Sequence, residues 1–304
     1  MILAIGNINL DWICTLSHLP VPDEKGNIQK FEVHPGGAAS NFAVSLARLG
    51  TEVSLFGHVG DDTEGYEALQ TLKEEGVNTS RVILEKDLAT GFVIVLISEK
   101  GQSTKLRFRG ANSRLSPDDL TPKLLEGIDI AYAASVTIPI AKKLATTCRE
   151  VGVRSSLDVG EDIANQSIDA FRKMLRSFSI VFINEIVFAR IFKEPPTLSN
   201  VQSEIEGNLE VLSVTLGRKG SITASHKTAF HTPTFNVKVV DTTGAGDAYA
   251  AGFIHFYLQQ LPLEEVVKRS SACASLQVMQ PGARAGLPAA YEVEEFIETY
   301  DTEK

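Results

Sequence analysis

Short apolar, β-like runs alternate with helical patterns along most of this chain, and that alternation constrains the fold more than any other feature. The runs are Ile2–Ile5, Glu52–Val59, Ile128–Ala134, Val153–Asp158, Ile180–Ile183 and Val211–Leu216. Between them lie helical stretches that stop at glycine: Ala38–Leu49 before Gly50, Glu64–Glu75 before Gly76, and Ile140–Val151 before Gly152. Glycine just past a helix adopts the left-handed conformation that closes the last turn. Strands alternating with helices predict an α/β fold, a doubly wound and mostly parallel sheet flanked by helices. Ligands bind such sheets at the carboxyl ends of the strands. At 304 residues the chain is long enough to bury a substantial core.

Two segments break the alternation. Leu10–Leu19 and Ile28–Val33 read as strands around the turn-rich Pro20–Asn27, and Gly91–Ser98 and Thr104–Arg109 read as a hairpin turning through Glu99–Gln102. They suit a small inserted β-sheet acting as a lid (residues 9–34 and 89–110) on a large α/β domain (1–8, 35–88 and 111–304). An antiparallel extension of the main sheet is the alternative. Phe192–Glu206 reads as a surface loop with a short helical piece, and Asp301–Lys304 as a frayed tail.

A net charge of −9 argues against nucleic acid or an anionic membrane as the main partner. It leaves phosphate ligands open, because backbone N–H groups bind phosphate without Lys or Arg. Cys14, Cys148 and Cys273 have no metal-ligand spacing and read as buried, reduced thiols. The N-terminus lacks a signal-peptide pattern and no apolar run approaches a membrane span, so a cytoplasmic protein is expected.

Chemistry concentrates at Asp241-Thr242-Thr243-Gly244-Ala245-Gly246-Asp247. A small-residue loop ends in a carboxylate, and an apolar helix begins at once. The helix start carries unpaired N–H groups and about half a positive charge. Gly244, Ala245 and Gly246 leave room for an anion there, and Asp247 stands close enough to take a proton from an attacking hydroxyl. The plain alternative is that Asp247 only charges the first helical turn. A second loop, Gly36-Gly37-Ala38-Ala39-Ser40-Asn41, opens another helix and places Asn41 in its first turn, while Asp11 follows an early strand. A carboxylate and an amide together can grip vicinal hydroxyls, and Asx turns at loop ends are the alternative.

On these two motifs the chain resembles the ribokinase-like (PfkB) carbohydrate kinases. Gly36 to Gly50 looks like their N-terminal signature, and Asp241 to Phe253 like their C-terminal one. The resemblance implies an enzyme that transfers the γ-phosphoryl group of ATP, with Mg²⁺, to a hydroxymethyl or hydroxyl of a sugar. A nucleoside kinase on the same scaffold is the alternative, and a non-catalytic sugar- or nucleotide-binding regulator is the alternative of another class. It implies Asp247 as general base, Gly244, Ala245 and Gly246 as anion hole, and Asp11, Gly36, Gly37 and Asn41 as acceptor ligands. Arg109, with Arg107, would contact an anionic or polyhydroxy acceptor from the lid. Lid side chains such as Trp12, Phe31 and Phe92 would shape the acceptor pocket. Val214–Gly220 resembles the nucleotide loop, with Thr215 and Gly217 near the phosphates and Gly220 at the turn.

Asp241 and Thr243 resemble positions whose carbonyls hold a monovalent cation, K⁺, in ribokinase, and Gln280–Ala283 would complete that site. A homodimer through the lid sheets is a further implication. Three departures stand out. The family's Asn-x-x-Glu, linked to Mg²⁺ and phosphate, appears as Asn184-Glu185-Ile186-Val187, with Val187 in place of the Glu; an Mg²⁺-linked role would fall to Glu185, one position after the Asn, and whether it serves is left open. Ala38 replaces a lysine found in ribokinase, and Asp158–Asp162 lacks the Asn and Arg of many sugar-acid and fructose kinases. No Walker A sequence, no paired histidine spacing for zinc and no complete dinucleotide fingerprint is present.

Overall fold

The structure, a computed structural model, describes residues 1–160, 163 and 167–302. Glu161 and Asp162 of the third departure, and the end of the tail, lie outside the described residues. Strand β1 (Ile2–Gly6) is buried along its whole length, as a central strand with both faces covered must be. The chain then builds β2 (Asn9–Leu16) and β3 (Lys30–Gly36) before α1 (Ala38–Arg48) and β4 (Val53–Phe56). At Gly57 a Cβ would stand 2.5 Å from the Gly6 carbonyl oxygen. The run expected as one strand, Glu52–Val59, divides there. β5 (His58–Gly60) leaves the main sheet, precedes α2 (Thr63–Glu74) and pairs with β6 (Ile83–Glu85). β7 (Gly91–Ser98) and β8 (Ser103–Phe108) follow.

The α/β alternation resumes with β9 (Ile130–Ala134), α3 (Ile138–Val151), β10 (Arg154–Val159), α4 (Ile168–Leu175), β11 (Ile180–Asn184), α5 (Glu185–Phe192), α6 (Leu198–Ser203) and β12 (Val211–Thr215). Two strands not read from the sequence, β13 (Ser221–Ser225) and β14 (Ala229–Thr232), turn back antiparallel at the sheet edge. The chain ends with α7 (Ala245–Leu258), α8 (Leu263–Gln277) and α9 (Ala290–Thr302). The main sheet has the order β14-β13-β12-β11-β10-β9-β1-β4 and is parallel from β12 to β4. One core under α1, α7 and α8 covers one face, and a second under α3, α4 and α5 covers the other.

The segments that break the alternation form a separate sheet of order β3-β2-β7-β8 rather than an extension of the main one. Its two faces differ because side chains alternate along each strand. On one face Trp12 stacks on Phe92 at 4.6 Å, with Phe31 and Phe108 beside them. Phe31, Val33, Leu106 and Phe108 are exposed. The other face carries Asp11, Ile13, Val93, Val95, Lys105 and Arg107 over a cleft at the edge of the main sheet. All three cysteines are free and buried. No helix among the described residues is long and apolar enough to cross a membrane.

Candidate active site

Two helices open on the cleft, and each does so through glycine. α1 starts at Gly37, whose φ of 96° lies in the left-handed region. A Cβ there would collide with the Asn7 carbonyl oxygen, so the backbone approaches as only glycine permits. Ser40 Oγ closes the turn by donating to the Gly36 oxygen at 2.5 Å. A Cβ on Gly36 would stand 2.5 Å from the Asp11 carboxylate. Gly36 therefore makes the room in which that carboxylate stands. α7 starts at Gly244, φ 78°, where a Cβ would stand 2.5 Å from the Ala283 oxygen. A Cβ on Gly246 would meet nothing within 4 Å. The helix start thus faces open space, and its first-turn N–H groups have no carbonyl one turn earlier inside the helix.

The two helix starts meet through side chains 206 residues apart in sequence. Asn41 Nδ2 donates to Asp247 Oδ2 at 3.0 Å. Behind them stands Arg284, 7% exposed, a residue outside both motifs. Its Nε donates to Asn41 Oδ1 at 2.9 Å and its Nη2 to Ser40 Oγ at 3.0 Å. The guanidinium fixes the orientation of the Asn41 amide, so the nitrogen faces Asp247. Arg48, paired with Glu75 at 2.6 Å, donates to the Arg284 carbonyl oxygen at 2.8 Å and holds that backbone.

Burial pushes the Asp247 carboxyl up to about 7, Asp158 and Asp11 push it further the same way, and Asn41 and Arg284 oppose them. Burial also raises Asp158 to about 6. Asp11 is raised by burial, against the nearby Lys105, Arg284 and His34. Burial brings Arg284 down to about 10, which leaves it charged at neutral pH. A carboxyl with a value near neutrality, aimed into a cleft, suits a general base.

Gly37, Asn41, Asp11, Gly244 and Asp247 line one cavity of about 830 Å³ beneath the small sheet, together with Asn7, Asn9 and Ser135. Ser135, at the end of β9, holds a left-handed φ of 56° without being glycine. Asn9 accepts from Asn112 at 2.8 Å, and Asn112 also bonds both the N–H and the carbonyl of Ile8. That amide pins the chain where it passes from one sheet to the other. A second cavity of about 530 Å³ lies on the other side of the Gly244–Asp247 loop. Gly217, Arg218, Phe235, Val237, Thr242, Ala245 and Val278 are among its lining residues. The loop therefore stands between two compartments, with Asp247 in the first and Ala245 in the second.

Some expected residues fall elsewhere. Arg109 does not line the cleft: β8 ends at Phe108, and Arg109 turns with helical φ −73° and ψ −35° into the next turn, leaving the alternation that points Lys105 and Arg107 inward. Trp12, Phe31 and Phe92 face away from the cleft because they sit out of phase with Asp11 and Val93. Asn184 and Thr215 are register neighbours at the carboxyl edge of the sheet, and Asn184 Oδ1 caps α5 at 2.8 Å from the Val187 N–H. Val187 is buried in the core, and Glu185 lies 3.7 Å from Lys219. Gly220, φ 95°, stands against the Thr232 carbonyl and shapes the turn. Asp241 accepts from the N–H and hydroxyl of Thr243 at 2.9 and 2.8 Å and from the Gly282 N–H at 2.9 Å.

The pfkB family carbohydrate kinase profile matches residues 1–290. The chain belongs to that family. It is 28% identical over 97% of its length, and 97% of the other chain's, to an ATP-dependent ribose-1-phosphate kinase of Halopiger xanaduensis. It is 29% identical to a nucleoside kinase of Methanothermobacter thermautotrophicus, over 94% of this chain and 92% of that one. The structure of Arabidopsis thaliana ribokinase with ribose and ATP superposes with a TM-score of 0.86 at 25% identity, covering 98% of both chains. This pfkB-family chain is thus a phosphotransferase with the ribokinase-like fold.

Proposed function

We propose that this kinase transfers the γ-phosphoryl group of ATP to a hydroxymethyl of a pentose-bearing acceptor, with Asp247 as general base. The observation that carries the reading is the meeting of Asn41 and Asp247 at the starts of two glycine-opened helices. The acceptor occupies the larger cavity, held by Asp11, Asn41 and the Gly36-Gly37 backbone, with its hydroxyl against the Asp247 carboxylate. The nucleotide lies on the far side of the Gly244–Gly246 loop, near Asn184, Thr215 and Gly217, and its γ-phosphoryl reaches the N-terminus of α7. There the first-turn N–H groups stabilise the charge that develops in an in-line transfer. Mg²⁺ is ordinarily held by substrate phosphates and one or two carboxylates; Glu185 would be the protein-side partner here, and the ion would add charge stabilisation. The small sheet closes over the acceptor as a lid that excludes water.

Relatives named for ribose-1-phosphate, ribose, deoxyribose and nucleosides share a pentose. The cleft face of the small sheet favours a sugar or sugar phosphate over a nucleoside. It offers Lys105 and Arg107 for an anionic or polyhydroxy acceptor, and its lining has His34 but no Phe, Tyr or Trp for a base to stack on. ADP release is measured over ribose, deoxyribose, ribose 1-phosphate and a set of nucleosides. Turnover is expected on a member of the first three. Turnover on nucleosides alone refutes the acceptor assignment, and ligand binding without turnover on any member refutes the kinase reading.

A further inference from the structure

The anion-hole loop is tied from behind by a side chain outside both motifs. Gln277, the last residue of α8, is fully buried. Its Nε2 donates to the Thr243 carbonyl oxygen at 3.1 Å and to the Gly282 carbonyl oxygen at 2.6 Å. Two carbonyls converging on one point make the kind of oxygen pair that a metal cation takes. Thr243 and the 280–283 loop are also where the resemblance to ribokinase places a monovalent cation. In this chain the point holds an amide nitrogen, with one N–H for each carbonyl. Its two partners decide the orientation of the amide, because the reverse one would set Oε1 against two carbonyl oxygens. Oε1 stays buried without a hydrogen-bond partner, so the side chain is placed for what its nitrogen does.

The neighbouring groups are engaged in the same task. Asp241 bonds Thr243 with one carboxylate oxygen and Gly282 with the other. The Val278 carbonyl accepts from the N–H groups of Val240 and Asp241 at 2.8 and 3.2 Å. Gly244 lies against Ala283. The two loops are thereby fastened by bonds internal to the chain. The donor set expected for the cation does not fit one, since the Thr243 and Gly282 carbonyls and the Asp241 carboxylate already have partners and an amide nitrogen stands between those two carbonyls.

We propose that the Gln277 amide stands in place of the monovalent cation and braces the anion-hole loop, so that phosphoryl transfer by this enzyme needs no such ion. The amide supplies the geometry of the tie without a net charge. Turnover and thermal midpoint are measured for wild type and Gln277→Ala in choline chloride and in potassium chloride at equal ionic strength. Wild type is expected to show the same turnover and the same midpoint in both salts. Gln277→Ala is expected to lose about tenfold or more of its turnover in choline, given that one lost anion-hole donor costs ~10²–10³. It should recover much of that loss in potassium, with a rise in midpoint. Several-fold stimulation of wild type by potassium, or a potassium-dependent rise in its midpoint, overturns the proposal. So does full activity of Gln277→Ala in choline. If that variant does not fold, the wild-type comparison decides alone. The activity arm rests on the kinase reading and the thermal arm does not. An enzyme with no turnover on any acceptor therefore counts against that reading, and the wild-type midpoint still tests the cation.

Discussion

Replacing Arg284 by methionine should move the acid limb of kcat/KM to higher pH while leaving the enzyme folded. The guanidinium lies behind the proposed acceptor residues, donating to Asn41 Oδ1 at 2.9 Å, and Asn41 in turn donates to Asp247 at 3.0 Å. Those two bonds and the amide between them put the guanidinium within ~8 Å of the carboxylate, where a unit charge at an effective dielectric of ~20 is worth ~2 kcal/mol. That corresponds to ~1.5 pH units. The sign follows from the base's task. As the proposed base, Asp247, raised to about 7 chiefly by burial, must be ionised to accept a proton, so activity is expected to climb as pH rises through that value.

Loss of the cation leaves burial, Asp158 and Asp11 pushing upward against Asn41 alone, and without its anchor the amide is free to turn its oxygen toward the carboxylate. The buried Tyr132 hydroxyl also senses Asp158 and Asp247, but its own pKa is pushed up, so it stays neutral and sets no limb. Initial rates at limiting acceptor, read by coupled ADP release across the acid and neutral range, report the free enzyme. Thermal melting and ATP binding serve as controls for folding. Arg284→Lys separates the two effects, because lysine keeps the charge without the planar fork. A folded, ATP-binding Arg284→Met variant whose limb coincides with that of wild type refutes the reasoning.

Asp247→Asn should lower kcat by about 10²–10⁴, the usual value of a positioned base, with folding unchanged; near-normal turnover removes Asp247 from the mechanism. Gly246→Ala should leave the thermal midpoint close to wild type, because a Cβ there meets no protein atom within 4 Å, and should depress turnover by about tenfold or more by filling the space proposed for the phosphoryl group. A lower midpoint with normal turnover would point to a purely structural glycine. Asp158, raised by burial to about 6, supports the fold fully below the ordinary carboxylate value and loses that support as pH rises through about 6. Asp158→Asn should accordingly raise the midpoint more above pH ~7 than near pH ~4. The acid limb of Asp247 should fall in the same variant, because Asp158 pushes it up. An unchanged difference in midpoint between the two pH values rejects the burial argument.

The features visible in the sequence were those encoded locally. Helix α1 and its Gly50 stop, α7 and its apolar faces, and the β7–β8 hairpin each follow from patterns a few residues long. Asp247 and Asn41 could be singled out because glycine loops and first-turn polar residues leave a local signature, and the structure brings their side chains together at 3.0 Å. Arg284 and Gln277 leave none. Each is a lone polar residue near the C-terminal end, and its meaning lies in partners about 240 and 34 positions away. The split at Gly57 was hidden for a similar reason, since the close approach is to Gly6 on another strand. Arg109 was misplaced because alternation was carried one residue beyond the strand end, and the aromatic lid residues because inward direction depends on register. β13 and β14 carry polar residues such as Ser221, Thr223 and His231 that blur the period-two pattern.

The cleft is lined by four carboxylates, those of Asp11, Glu32, Asp241 and Asp247, in a chain that is already acidic, and its electrostatics bear on how it could also receive a polyanion. Two helices direct their positive ends into it, and a macrodipole end counts as about half a charge. Asp241 is held below the ordinary carboxylate value by hydrogen bonds from Thr243 and Gly282, which outweigh its desolvation, so its charge is already neutralised by local donors. Asp247 takes the opposite course and stays near its midpoint at neutral pH. A carboxyl in that state gives up its proton most readily when positive charge arrives and regains it when the charge leaves, which is what the proposed base role requires. Arg284 contributes to that positive charge from behind Asn41, and Lys30, Lys105 and Arg107 line the cleft itself. The arrangement keeps the base responsive to what fills the cleft, which a fully exposed aspartate with an ordinary pKa would not be.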